Sequence, residues 1–170
     1  MTERLDYAAS CRRLNLDPAP PIPARRPRHD DHEPLGVNFF REIHEGQDHS
    51  GLTLPRTFFC RSQFEKCSFR NTDLSESTLC WNDFVEVDFS RANLNGSDLR
   101  ASIFDRASFD DADLGATDMR QSTFLSCTFD GASMKGATLA RRQRQDLSLS
   151  EAQIEEIAWV DSDGNEPDGG

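Results

Sequence analysis

The stretch Ala92-Asn93-Leu94-Asn95-Gly96-Ser97-Asp98-Leu99-Arg100-Ala101-Ser102-Ile103-Phe104-Asp105-Arg106-Ala107-Ser108-Phe109 carries Leu or Phe at every fifth residue. Followed outward, the register holds without a miss from Leu54 to Leu139, through 18 positions that are all Leu, Phe or Met. Only Phe58 and Leu125 among those three residue types lie off it in this window. Leu, Phe and Met make up 30 of the 170 residues (15, 12 and 3), so chance does not build such a run. The period fits neither a helix, at about 3.6, nor a strand, at about 2. It requires a backbone that turns a corner every five residues.

The position two before each stripe residue is small, as at Thr57, Ser62, Cys67, Thr72, Ala92, Ser102, Ala112 and Ala137, with Val87 slightly larger and Asn82 the one sizeable polar exception. In an extended pentad those two positions face the same way, so a small residue leaves room for a large one at an interior axis. The stripe also repeats every 20 residues. Phe64, Phe84, Phe104 and Phe124 form one column, and Phe69, Phe89, Phe109 and Phe129 a second. Leu74, Leu94, Leu114 and Met134 form a third, and Leu79, Leu99, Met119 and Leu139 a fourth. Four pentads per coil predict an all-β, four-sided solenoid with a dry axis, phenylalanine ladders running up two adjacent sides. About four and a half coils at about 4.8 Å each give a rod on the order of 20 Å long.

Residues 1–34 read as an N-terminal extension and linker: a short helix within residues 1–17, then a Pro-rich, extended and disordered run through Pro34. Residues 35–53 are expected to be an irregular cap coil, because Phe39 is in phase but His44 and His49 occupy stripe positions. Residues 54–141 are the repeats, and 142–170 a capping helix and acidic tail. Ser150-Glu151-Ala152-Gln153 has the form of a capping box opening a helix that carries Ile154, Ile157, Ala158 and Trp159. Asp161 to Gly170 is acidic and Gly-rich, and is expected to fray.

Ala92-Asn93-Leu94-Asn95-Gly96, Ala112-Asp113-Leu114-Gly115-Ala116 and Thr72-Asp73-Leu74-Ser75-Glu76 resemble the A(D/N)LXX unit of the pentapeptide-repeat family. The resemblance covers residues 52 to 141 and implies a right-handed quadrilateral β-helix. It says little about function, which lives on the outer faces of such a scaffold.

No long apolar run is present, and the N-terminal residues MTERLDYAASC lack the apolar core of a signal peptide, so a cytoplasmic, non-membrane protein is expected. Of the five cysteines, Cys67 and Cys127 fill small inner slots, whereas Cys60 and Cys80 should stack on adjacent coils, either bridged or, as expected for a cytoplasmic protein, as free thiols. No phosphate loop, nucleophile elbow or Cys–His pair is present, and no enzyme and no cofactor are predicted. His29-Asp30-Asp31-His32 has ligand-type residues but lies in the linker, so no metal site is assigned. The recurrent Asp before the stripe residue, as at Asp73, Asp88, Asp98, Asp113 and Asp118, is expected to bond the corner backbone.

Most outward positions are polar or small; the apolar exceptions are Phe58, Trp81, Val85, Ile103 and Leu125. Trp81, Val85, Ile103 and Leu125 map to the Phe64–Phe124 side, with Glu65, Asp83, Glu86 and Asp105 around them. An apolar centre with a charged rim is the anatomy of a protein interface, and Trp a natural anchor. The same face could instead be covered by the N-terminal segment or by a second copy in a homodimer. Gly51-Leu52-Thr53-Leu54-Pro55-Arg56-Thr57-Phe58-Phe59 and Cys80-Trp81-Asn82-Asp83-Phe84 look like pentapeptide-repeat proteins encoded beside secreted antibacterial toxins. That resemblance implies an immunity protein, a toxin inhibitor whose partner is a cognate toxin such as a nuclease effector of type VI secretion. The alternative is a DNA mimic that binds gyrase or another topoisomerase and protects it from quinolones. The chain carries −11, but residues Phe58 to Ala140 hold 13 acids against 8 bases. A rod of this length matching duplex DNA would need about a dozen net charges, and its negative sign disfavours direct nucleic-acid binding.

Overall fold

The computed structural model describes residues 3–28, 30, 32 and 34–161. Each pentad makes one side of a square coil, and the coils stack as a parallel β-solenoid of about 6 turns. The side built on the Phe64 column is a five-stranded parallel sheet of β2 (Ile43–Glu45), β4 (Gln63–Glu65), β5 (Asp83–Val85), β6 (Ile103–Asp105) and β7 (Thr123–Leu125). On the preceding side β1 (Asn38–Phe40) pairs with β3 (Phe58–Cys60). Every pairing joins residues 20 apart, as in Phe64 with Phe84 and Phe84 with Phe104. The other sides are held by single bridges in the same register, such as Asp73 with Asn93 and Asp98 with Asp118.

The stripe is the core. Phe64, Phe84, Phe104 and Phe124 stack at 5.1, 5.0 and 5.2 Å between ring centroids, and Phe69, Phe89, Phe109 and Phe129 at 5.3, 5.2 and 5.1 Å. Adjacent columns meet edge to face, as Phe84 does with Phe89 at 75°. Both arrangements suit the ring quadrupole, and the aliphatic columns fill the remainder of the axis. The small slots also serve the backbone. Asn82, the oversized one, donates from Nδ2 to the Phe59 carbonyl at 2.6 Å and accepts from the Ser62 amide at 2.9 Å. Ser102 Oγ then accepts from the Asn82 amide, and Ser122 Oγ from the Ser102 amide. Asp73, Asp88, Asp98, Asp113 and Asp118 accept from the amide two residues on at 2.8–3.2 Å. These turns fix the corners, where the residue two past each stripe position from Leu54 to Met134 takes a left-handed φ: Trp81 at 55°, Arg106 at 54°, Gly96 at 72°.

The ends differ from expectation in two places. Between Leu35 and Thr53 the coil is regular: β1 and β2 pair in register, His44 lies on Phe64 at 4.8 Å and His49 on Phe69 at 4.9 Å, both buried. Histidine is planar and aromatic, so it continues a phenylalanine ladder. At the other end the helix is shorter than its apolar pattern predicts. The capping box at Ser150 and Gln153 is present, but the helix it opens, α2 (Glu151–Glu156), is short, and Ala158–Val160 is a strand, β9, paired with β8 (Thr138–Ala140). A 3-10 helix at Arg141–Asp146 precedes α2. Buried Gln143 donates to the carbonyls of Met119 and Ser122, and buried Gln153 to those of Phe129 and Ala132, at 2.7–3.0 Å. Two glutamines thus satisfy backbone groups that the stack leaves open at its end.

The described part of the N-terminal segment is extended beyond its helix but bound to the rod. Helix α1 (Tyr7–Arg13) is capped by Asp6 and buries Cys11 in the core. The Leu5 amide donates to the Gly51 carbonyl and the Thr53 amide to Ser10 Oγ, each at 2.8 Å. Farther along, Arg56 donates to the Pro23 carbonyl at 2.8 Å, Thr78 to that of Pro27 at 2.5 Å, and Arg26 to that of Gly96 at 3.1 Å. Residues 29, 31 and 162–170, with part of the His29–His32 motif and nearly all of the acidic tail, lie outside the described residues.

Candidate protein-binding face

The five-stranded sheet presents two outward rows. The residues before the stripe are Ile43, Gln63, Asp83, Ile103 and Thr123; those after it are Glu45, Glu65, Val85, Asp105 and Leu125. Apolar and acidic residues therefore interleave. Val85 lies between Glu65 and Asp105 in the ladder, Asp105 between Val85 and Leu125, and Ile103 beside Asp83. The expected apolar centre with a separate acidic rim is not the arrangement found, because the 20-residue stacking alternates the two types along one row.

The acids are also partly neutralised. Arg106 lies 3.1 Å from Asp105 and 3.4 Å from Glu86, and Lys66 lies 3.3 Å from Glu65. These are exposed pairs, each contributing about 0–1 kcal/mol, but they shorten the reach of the acidic field. Trp81 occupies the corner beside the sheet, with the Arg61 guanidinium 5.8 Å from its ring centroid.

Exposure shifts the apolar surface toward the first coils. Ile43 is 76% exposed, Leu125 50%, Trp81 49%, Phe40 46% and Ile103 44%. Phe40 and Ile43 are missing from the sequence-derived set because the register is abandoned before Leu54. Extending it through Phe39 and His44 places Ile43 in the same row as Ile103, which is the signal that finds it. Phe58 is corrected in the opposite sense: it is buried, in a cluster with Cys60, Cys80 and Leu35. Two hollows flank Trp81. One, of about 260 Å³, is lined by Arg41, Ile43, Arg61 and Asp83 among others; the second, of about 400 Å³, by Phe40, Phe58, Cys60 and Leu35.

Among the described residues no group of three or more His, Cys, Asp or Glu is placed to hold a metal ion, and no helix is long and apolar enough to cross a membrane. Elsewhere on the rod, Asp98 is largely buried. Burial pushes its carboxyl up, but the Arg100 guanidinium at 2.7 Å and the Arg100 amide outweigh this and hold it below the usual range.

The family model described as Pentapeptide repeats matches residues 50–79, 83–121 and 107–141 in 8 copies, over half of the chain. The chain belongs to the pentapeptide-repeat family. Among solved pentapeptide-repeat structures, HetL from the cyanobacterium Nostoc sp. strain PCC 7120, involved in heterocyst differentiation regulation, is 18% identical with a TM-score of 0.56. That match covers 59% of this chain and 48% of HetL, so the chain spans about half the length of that relative. Rfr23 from the cyanobacterium Cyanothece 51142 is 19% identical with a TM-score of 0.55, over 57% of this chain and 80% of Rfr23. At such identities the likeness concerns the solenoid alone. A comparison with curated proteins gives no match. Pentapeptide-repeat proteins are typically structural or binding modules, which directs attention to the outer faces.

Proposed function

We propose that this pentapeptide-repeat protein is a non-enzymatic binding module that takes up a protein partner on its five-stranded face. The observation that carries the reading is the exposure of Ile43, Trp81, Ile103 and Leu125 on and beside one continuous sheet. Among the described residues, the hydrogen bonds of the N-terminal segment to Gly51, Arg56, Thr78 and Gly96 fall on other sides of the square. Val85, Glu65, Asp83, Glu86 and Asp105 fill the spaces between the apolar residues and would set orientation and capture rate more than affinity.

The likeness of Gly51–Phe59 and Cys80–Phe84 to proteins encoded beside antibacterial toxins gives the partner a class, a secreted toxin neutralised in a one-to-one complex. The test is capture of a candidate toxin from the adjacent gene, by wild type and by a variant with Trp81, Val85, Ile103 and Leu125 all changed to alanine. Binding lost in the variant supports the face. Binding retained at unaltered affinity overturns it. A wild-type protein that ignores the toxin but relieves quinolone inhibition of gyrase supercoiling would replace immunity by DNA mimicry.

A further inference from the structure

We propose that Cys60 and Cys80 form a thiol pair that a hydroperoxide closes into a disulfide between adjacent coils. The two sulfur atoms lie 3.3 Å apart, and both side chains are buried against Phe58 and Leu35. Cys60 ends β3 directly above Cys80, 20 residues on, in the register that pairs Phe58 with Thr78. Neighbouring strands are about 4.8 Å apart, inside the range of Cα separations that a disulfide spans, about 4.4–6.8 Å. Closure then needs the sulfur atoms to approach by a little over 1 Å, to about 2.05 Å, which side-chain rotation supplies.

The surroundings favour oxidation over other thiol chemistry. Metal capture lacks ligands, since no described His, Asp or Glu joins the pair in a cluster of three. Cys11, Cys67 and Cys127 each lie apart in the core or in small slots, so neither sulfur has a competing thiol. The hollow of about 400 Å³ lined by Phe40, Phe58, Cys60 and Trp81 opens toward solvent and admits a molecule the size of hydrogen peroxide. The two thiols share one hydrogen bond in which either sulfur can be the donor. Whichever of the two gives up its proton is the nucleophile. Its sulfur attacks one peroxide oxygen, the O–O bond breaks, and that cysteine becomes a sulfenic acid as water leaves. The other sulfur then displaces the sulfenic oxygen as a second water, which carries that thiol's proton. Two thiols and one peroxide give one disulfide and two waters, the thiols losing two electrons to the peroxide.

The full chain, treated with hydrogen peroxide, alkylated under denaturing conditions and digested with trypsin, decides the matter. The expected product is a linked peptide joining Thr57–Arg61 to Asn71–Arg91, formed within one chain and reversed by dithiothreitol, with the other three of the five cysteines still alkylated. The same treatment in urea should scatter the pairings. Alkylation of both Cys60 and Cys80 after peroxide overturns the proposal, as does a sulfinic acid on either without the linkage. An equally exclusive Cys60–Cys80 link in urea would also overturn it, because the stacked coils would then play no part.

Discussion

The His49 ring lies over Phe69, centroids 4.9 Å apart and planes 23° from parallel, and neither of its nitrogens has a hydrogen-bond partner. Burial first, then the nearby charge of His44 and of Arg13, lowers its pKa to about 4, with Asp48 opposing. In the unfolded chain the imidazole returns to the ordinary value of about 6.5, so between those two values the unfolded state binds the extra proton. Stability from this site is complete above pH 6.5 or so and falls away as pH drops toward 4, by on the order of 3 kcal/mol. Urea midpoints at pH 7.5 and 4.5 check it. His49→Phe should reduce the difference between the two midpoints; Asp98, held below its ordinary range, loses its contribution only below about pH 4, outside that window.

Phe104 sits mid-stack, fully buried between Phe84 and Phe124. Phe104→Ala should cost about 3–5 kcal/mol in denaturant unfolding, because adjacent coils held by ladder hydrogen bonds cannot collapse into the gap. A loss below about 1 kcal/mol would contradict the core assignment.

Gln153→Leu tests the closing unit. The change keeps bulk but leaves the Phe129 and Ala132 carbonyls without their side-chain donor, at a cost of about 1–3 kcal/mol for an unsatisfied buried group. Hydrogen exchange should quicken in β8 and β9 before it does in β5 and β6. Uniform quickening throughout the rod would show that the glutamine does more than close the end.

Trp81→Ala separates fold from face. The side chain is half exposed at a left-handed corner, so stability should change by no more than about 0.5 kcal/mol in thermal unfolding. Partner affinity should fall by about 2 kcal/mol or more if the indole is an anchor. A large stability loss with unchanged affinity would assign Trp81 to the scaffold.

The solenoid was legible because every stripe position from Leu54 to Leu139 is apolar, and a period of five admits few backbones. The first coil was not, since His44 and His49 score as polar; what matters in the stack is a flat ring, and imidazole supplies one. The N-terminal segment hid for another reason. Its proline content reads as an unanchored linker, yet proline carbonyls are free acceptors, and those of Pro20, Pro23 and Pro27 take bonds from Tyr7, Arg56 and Thr78. The face was half legible: the register located Trp81, Val85, Ile103 and Leu125, but pairings such as Arg106 with Glu86 depend on rotamers that no spacing encodes.

The path of the N-terminal segment changes how such a rod comes apart. A stack in which each coil touches only its neighbours opens from either end, one layer at a time. Here a single strap fastened at Gly51, Arg56, Thr78 and Gly96 crosses several layers, so no layer within that span opens without unfastening it. The strapped half therefore melts as one block, and piecemeal fraying is confined to the layers beyond Gly96.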